Sequence, residues 1–231
     1  MKLIQKIKHR QMQNKLEILQ PDTFYHIYNR ANGNEQLFLS DENYLFFLRK
    51  YKEYISPICH SYCYCLMPNH FHFLVEVKST KELEDYFNQK TPLSITLQGL
   101  ATDELETFPK FKTLEMLISK QFSNFFSCYT QAFNKQQNRM GSLFMKNFKR
   151  KKITDTKYLM QLVQYIHRNP LEANLCNELH LWNYSSYGSL LSNKETLLMR
   201  NQVLEWFNDV QNFEYVHKLS LTNFEIEHHF H

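Results

Sequence analysis

The sequence predicts an α+β fold, an antiparallel sheet with helices packed on one face in the split βαβ, ferredoxin-like order. Three observations carry this. β-prone and amphipathic helical segments alternate along the chain. Two neighbouring strands in its middle are joined by a short turn. Its 231 residues, 43% hydrophobic and 15% aromatic, can bury one sizeable core.

Residues 24–29, Phe-Tyr-His-Ile-Tyr-Asn, are aromatic and β-prone, and the turn-forming Arg30-Ala-Asn-Gly33-Asn ends them. This is the first strand. Ser40 precedes Asp41 and Glu42 as a helix N-cap with first-turn acids. Tyr44, Leu48, Tyr51 and Ile55 continue an apolar stripe until Pro57. From His60 to Val77 the pattern becomes β-rich, interrupted only by Met67-Pro68-Asn69, which predicts two strands joined outside the ladder.

A helix is predicted over 79–88. Leu114, Ile118, Phe122, Phe125, Tyr129 and Phe133 then mark a long amphipathic helix ending near Met140-Gly141, with the glycine as its left-handed cap. A strand is expected at Leu143 to Phe148. Leu159, Leu162, Val163 and Ile166 define the stripe of a further helix from about Thr154 to before Pro170. The expected division is an N-terminal extension over 1–23 and a main domain over 24–190 with an insertion at about 89–110. A C-terminal helical extension follows over 191–231.

A net charge of +4 permits a nucleic-acid partner without demanding one. Its distribution says more, because Lys146, Lys149, Arg150, Lys151 and Lys152 form a basic ribbon. A solvated strand end explains such a ribbon equally well. No stretch approaches the roughly 18 apolar residues of a membrane span, and the N-terminus lacks the apolar centre of a signal peptide, so a cytoplasmic protein is expected. Five cysteines suit reduced thiols.

In His70-Phe-His-Phe-Leu-Val-Glu-Val77, strand alternation sends Phe71, Phe73, Val75 and Val77 to one face and both histidines to the other. The two imidazoles, about 7 Å apart along the strand, are spaced to converge on one ion. A zinc site combining Cys63 and Cys65 with His60, His70 or His72 is the rival, although the paired C-x-x-C knuckles of structural zinc sites are absent. On the last helix of the main domain, Tyr158, Gln161, Tyr165 and Asn169 run down one flank beside the apolar stripe. Tyr165 and Asn169, at i and i+4, point to the same place. They fit a nucleophile and an oxygen ligand, or a tyrosine that merely anchors a helix edge.

Together FYHIYNR, LMPNHFHFLVEV, GSLFMKNFKRKKI, YLMQLVQYIHRNPLEANL and WNYSSY resemble the REP-associated tyrosine transposases and the small insertion-sequence transposases of the IS-two-hundred class. The likeness runs from about Phe24 to Tyr187, in the family's order. It implies an HUH nuclease palm with the catalytic helix near the face opposite the other helices. It further implies His70 and His72 as ligands of Mg²⁺ or Mn²⁺, Tyr165 as nucleophile, and Asn169 where the compact members commonly carry glutamine. His167 is the fallback ligand and Tyr158 the reserve nucleophile. The implied activity is nicking and strand transfer on single-stranded, hairpin-containing DNA through a 5′-phosphotyrosine.

The ribbon from Lys146 to Lys152 would then lie along phosphates, with Arg30 and Asn29 as further contacts and Tyr25 and Tyr28 stacking on bases. A single tyrosine used sequentially or supplied by two subunits permits a homodimer. A catalytically inactive or domesticated DNA-binding protein of the same fold is the alternative.

Overall fold

Strand β1 (Thr23–Arg30) buries Tyr25 and Ile27 on one side and His26 on the other, as its alternating sequence requires. The protein is represented by a computed structural model that describes residues 17–90 and 114–219. Helix α1 (Asp41–Tyr54) follows, then β2 (Cys59–Met67), β3 (His70–Val77) and α2 (Thr80–Lys90). The long α3 (Leu114–Gln136), the edge strand β4 (Lys149–Ile153) and α4 (Thr156–Glu172) complete the unit. Three short helices come after it: α5 (Tyr187–Leu191), α6 (Arg200–Trp206) and α7 (Val210–Lys218). Among the described residues no helix is long and apolar enough to cross a membrane.

The four strands form one antiparallel sheet in the order β2-β3-β1-β4, the arrangement expected of a split βαβ unit. Helices α1 and α3 pack on one face, against Tyr25, Ile27, Phe71 and Phe73. Helix α4 lies on the other face and touches β2, β3 and β4. That second face is a full core. Leu159, Leu162, Val163 and Ile166 of α4 meet Tyr62, Cys65 and Leu74 of the sheet together with Leu190, Val203, Phe207 and Phe213 of the C-terminal helices.

Several boundaries differ from expectation, each for a local reason. Residues 143–148 form no strand and meet the end of β1 through an isolated Ala31–Phe144 bridge and the bond from Met145 N to Arg30 O; Asn147, at φ 62°, breaks the extended run. The basic ribbon is itself the strand. The long helix ends at Gln136, where Asn138 takes the left-handed conformation at φ 50° and the Arg139 N–H closes on the Asn134 carbonyl. Gly141 (φ 91°) belongs to the following turn. Helix α4 starts behind Asp155, whose side chain accepts from the Lys157 N–H, and runs through Pro170 to Glu172. So near the C-terminus, the proline forfeits only the bond to the Ile166 carbonyl. The segment at about 89–110 lies mostly outside the described residues, as does most of the N-terminal extension.

The Pro68-Asn69 turn sits outside the ladder and its carbonyls are used elsewhere. Pro68 O accepts from Leu37 and Phe38, and Asn69 O accepts from Ala31 at 2.8 Å. These bonds clamp the start of β3 to the end of β1. At the opposite side of α4, buried polar groups tie the helix to the C-terminal segment. His217 Nδ1 donates to Phe213 O (2.7 Å), so its Nε2 accepts from His167 Nδ1 (2.9 Å), and His167 Nε2 accepts from Ser186 Oγ (2.7 Å).

Both imidazoles are therefore buried neutral. Burial, with His217 beside it, holds His167 well below 6.5, and burial brings His217 to about 4. The unfolded chain binds protons on both below pH 6.5 while the folded chain does not. Stability is thus complete above pH 6.5 and falls as pH drops toward 4, by about 1.4 kcal/mol per pH unit for each histidine. Urea unfolding at pH 7.5, 6 and 5 should show this decline, and His217→Gln should make it less steep; a pH-independent midpoint would contradict the assignment.

Candidate active site

The pleat of β1 and β3 assembles the polar face. His26, Tyr28 and Arg30 project to the α4 side, as do His70 and His72, and the register sets Arg30 opposite His70 and Tyr28 opposite His72. On the other flank of β1, Lys149 stands opposite Tyr28 and Lys151 opposite His26. Asn69 Oδ1 accepts from His70 Nδ1 at 2.7 Å, while His26 Nε2 meets His72 Nδ1 at 2.9 Å. Ring centroids of His70 and His72 are 5.2 Å apart.

Helix α4 buries its leucine and isoleucine stripe and thereby turns the adjacent flank, with Tyr165 and Asn169, over the histidines. The Tyr165 ring stands edge-on to His72 at 5.5 Å and to His26 at 6.4 Å. Asn169 donates through Nδ2 to the Tyr165 carbonyl (2.8 Å), and its side chain also hydrogen-bonds with His70 and with the Tyr165 phenol. Tyr165, Asn169, His70 and His72 thus form one cluster, built from a strand and a helix about 90 residues apart in sequence.

Burial sets the electrostatics. It lowers His70 to about 4, helped by the Arg30 charge and opposed by the Asn169 hydrogen bond, and it holds His72 well below 6.5, with His26 and His70 adding to the effect. Near neutral pH both rings are uncharged, the form that donates a lone pair to a metal. Burial also pushes the Tyr165 phenol up to about 12, with the Asn169 hydrogen bond working against it.

Two neutral imidazoles and an amide oxygen fit a divalent cation that retains open positions. No three His, Cys, Asp or Glu side chains among the described residues are arranged around a common ion. The rival zinc reading fares worse than this donor set. Cys63 and Cys65 are fully buried, and burial drives both thiols far above their usual range, away from the thiolate that zinc requires.

The structure separates the remaining candidates by face. Lys149 and Lys151 are exposed on the site's side of β4, and Lys151 Nζ lies 5.2 Å from the centre of the Tyr158 ring. Arg150 and Lys152 point to the opposite face. Arg150 covers Phe148 at 4.4 Å and donates to Ser119, and Lys152 donates to Gln20. Lys146 is exposed in the loop that bonds the end of β1 through Met145 N to Arg30 O.

Tyr25 is fully buried with its hydroxyl on Ile18 O, so it stacks on no base, and Asn29 is buried and holds Met145 O. His167 faces Ser186 and His217, away from the cluster. Tyr158 remains half-buried on the Tyr165 flank. Sequence reasoning missed His26; its alternation with Tyr28 and Arg30 on one face of β1 was the available signal.

No family model and no curated protein matches this chain. Among solved structures, a REP-associated tyrosine transposase bound to a REP hairpin aligns with 78% of this chain and 86% of its own, at 12% identity and a TM-score of 0.49.

Proposed function

We propose that the protein is a metal-dependent DNA nicking and strand-transfer enzyme, a single-tyrosine transposase of the REP-associated kind that acts on single-stranded, hairpin-containing DNA. The observation that carries this reading is the cluster itself: a helical phenol, Tyr165, shares Asn169 with one histidine and stands edge-on to the second of a His-x-His pair. The sequence motifs that resemble the transposases are the same segments that build it. His70 and His72 would hold Mg²⁺ or Mn²⁺, with Asn169 as the third donor. Such an ion, when bound, offsets the charge of the scissile phosphate and orients it.

The protein's own groups do the rest. Tyr165 Oη attacks phosphorus, its proton leaves to the surroundings, the P–O3′ bond breaks, and the departing oxygen takes up a proton as a 3′-hydroxyl. A 5′-phosphotyrosine retains the bond energy. The 3′-hydroxyl of another strand attacks that linkage in turn, forming a new P–O3′ bond and releasing the phenol, so joining needs no ATP. Asn169 orients the phenol, while Arg30, Lys149 and Lys151 draw phosphates onto this face and Tyr28, half-exposed between them, offers a base a ring to stack on. Sequential use of Tyr165, or use of one from each of two subunits, satisfies the two steps.

The test mixes the protein with labelled hairpin-flanked single-stranded DNA and Mn²⁺ and seeks a denaturant-resistant adduct. Its absence on every hairpin substrate, despite tight binding, would favour an inactive DNA-binding protein.

The facing of the lysines gives a separate expectation. Lys149→Ala with Lys151→Ala should reduce the slope of log affinity against log salt for single-stranded DNA by about 1.4, two phosphate contacts at roughly 0.7 each, whereas Lys152→Ala should leave it unchanged. Equal effects from both faces would refute the assigned path.

A further inference from the structure

His26 takes no part in the chemistry above, yet it is buried directly against one of the two site histidines. Its Nε2 lies 2.9 Å from His72 Nδ1, and the two rings meet edge to edge, their centroids 5.1 Å apart and their planes 23° from parallel. A pair of imidazoles in such contact shares one proton, which sits either on His72 Nδ1 or on His26 Nε2. The choice decides what His72 can do. With the proton on His72 Nδ1, the His72 lone pair is on Nε2; with it on His26, His72 Nε2 carries hydrogen and binds no cation.

His70 supplies the comparison within the same site. Its Nδ1 faces Asn69 Oδ1, an amide oxygen that can only accept, so its proton is on Nδ1 and its lone pair on Nε2. His72 reproduces this arrangement if His26 accepts in the place that Asn69 Oδ1 takes beside His70. The structure also restrains the His26 ring. Tyr28 lies 4.6 Å away on one side and Tyr165 stands edge-on at 6.4 Å, while the β1–β3 register fixes the backbone beneath both histidines.

We infer that His26 is a positioning residue that accepts the Nδ1 proton of His72, thereby fixing the ring and presenting its Nε2 to a divalent cation. The inference rests on the metal-dependent reading of His70 and His72, and it assigns to β1 a part in cation binding. Groups that hold the second nitrogen of a ligating histidine commonly govern affinity by about 10- to 100-fold.

The full chain, ¹⁵N-labelled at histidine, gives the first measurement. Long-range ¹H–¹⁵N spectra without metal should show His72 protonated on Nδ1 and unprotonated on Nε2. Mn²⁺ titration followed by electron paramagnetic resonance gives the second. His26→Phe should weaken Mn²⁺ binding by about 10- to 100-fold, and His26→Gln, whose amide oxygen can accept the same proton, should recover most of that loss.

A His72 protonated on Nε2 overturns the inference. So does wild-type Mn²⁺ affinity in His26→Phe when His72→Ala is weakened, a result that leaves the metal site itself standing. Wild-type protein whose Mn²⁺ binding is indifferent to His72→Ala would instead defeat the metal-dependent reading and the inference with it. Should His26→Phe not fold, the spectra of the unaltered protein still decide.

Discussion

Tyr165→Phe should eliminate the covalent protein–DNA adduct and reduce strand cleavage by at least about 10⁴-fold, while hairpin DNA binding changes little. The change removes one oxygen from a half-buried ring whose packing against Leu162, Ile166 and the histidines is otherwise kept. Fold and affinity should therefore be spared, and the loss should fall on the one atom that, in the proposed mechanism, forms the bond to phosphorus. Circular dichroism and a filter-binding isotherm check the first part, and denaturing electrophoresis of labelled DNA checks the second.

Tyr158, one heptad earlier on the same flank, supplies the internal control. Lys151 Nζ stands 5.2 Å from its ring centre, whereas it is the Tyr165 ring that stands edge-on to His72 at 5.5 Å, so Tyr158→Phe should leave the adduct intact. An adduct that survives in Tyr165→Phe and disappears in Tyr158→Phe would exchange the two roles.

Much of this site could be read from one-dimensional periodicity. Alternation in His70–Val77 separates histidines from phenylalanines, and the 3.6-residue stripe of α4 leaves Tyr165 and Asn169 on a flank. What escaped reading depends on partners far along the chain. His26 is a lone histidine in an aromatic strand, and only the β1–β3 register brings it to His72, 46 residues away.

The strand placed at 143–148 shows the other kind of failure. Its Leu143 and Phe148 look β-like, whereas the true strand, Lys-Arg-Lys-Lys-Ile, has few β-formers and is tolerated because it is a sheet edge with its lysines in solvent. Once that register is known, the pleat alone divides Lys149 and Lys151 from Arg150 and Lys152. The second core escaped for a similar reason, since α5, α6 and α7 are too short for a strong period and find their partners only in three dimensions.

His70→Ala and His72→Ala should each lower cleavage by about 10²- to 10³-fold, equivalent to roughly 3–4 kcal/mol of transition-state stabilisation. The reason lies in Tyr165, whose phenol is held near 12 by burial and is almost wholly protonated at neutral pH. A neutral phenol is a weak nucleophile toward an anionic phosphodiester, so the reaction depends on positive charge gathered at the site. In the proposed mechanism Lys149, Lys151 and Arg30 would attract the strand from exposed or half-exposed positions, where solvent screens them.

A cation held by His70 and His72 would act in the buried part of the cluster and would be screened far less. The two variants differ in side effects. His70, at the start of β3, is half-buried and can be truncated with little structural cost. His72 is fully buried, and truncating it leaves a void and deprives His26 of its partner, so it should lose stability as well. Raising Mn²⁺ concentration should restore part of the His70→Ala activity if the remaining imidazole and Asn169 still bind weakly. No rescue, combined with unchanged Mn²⁺ affinity, would mean that His70 contributes through its hydrogen bond with Asn169, and hence through the placement of Tyr165, instead of through the ion.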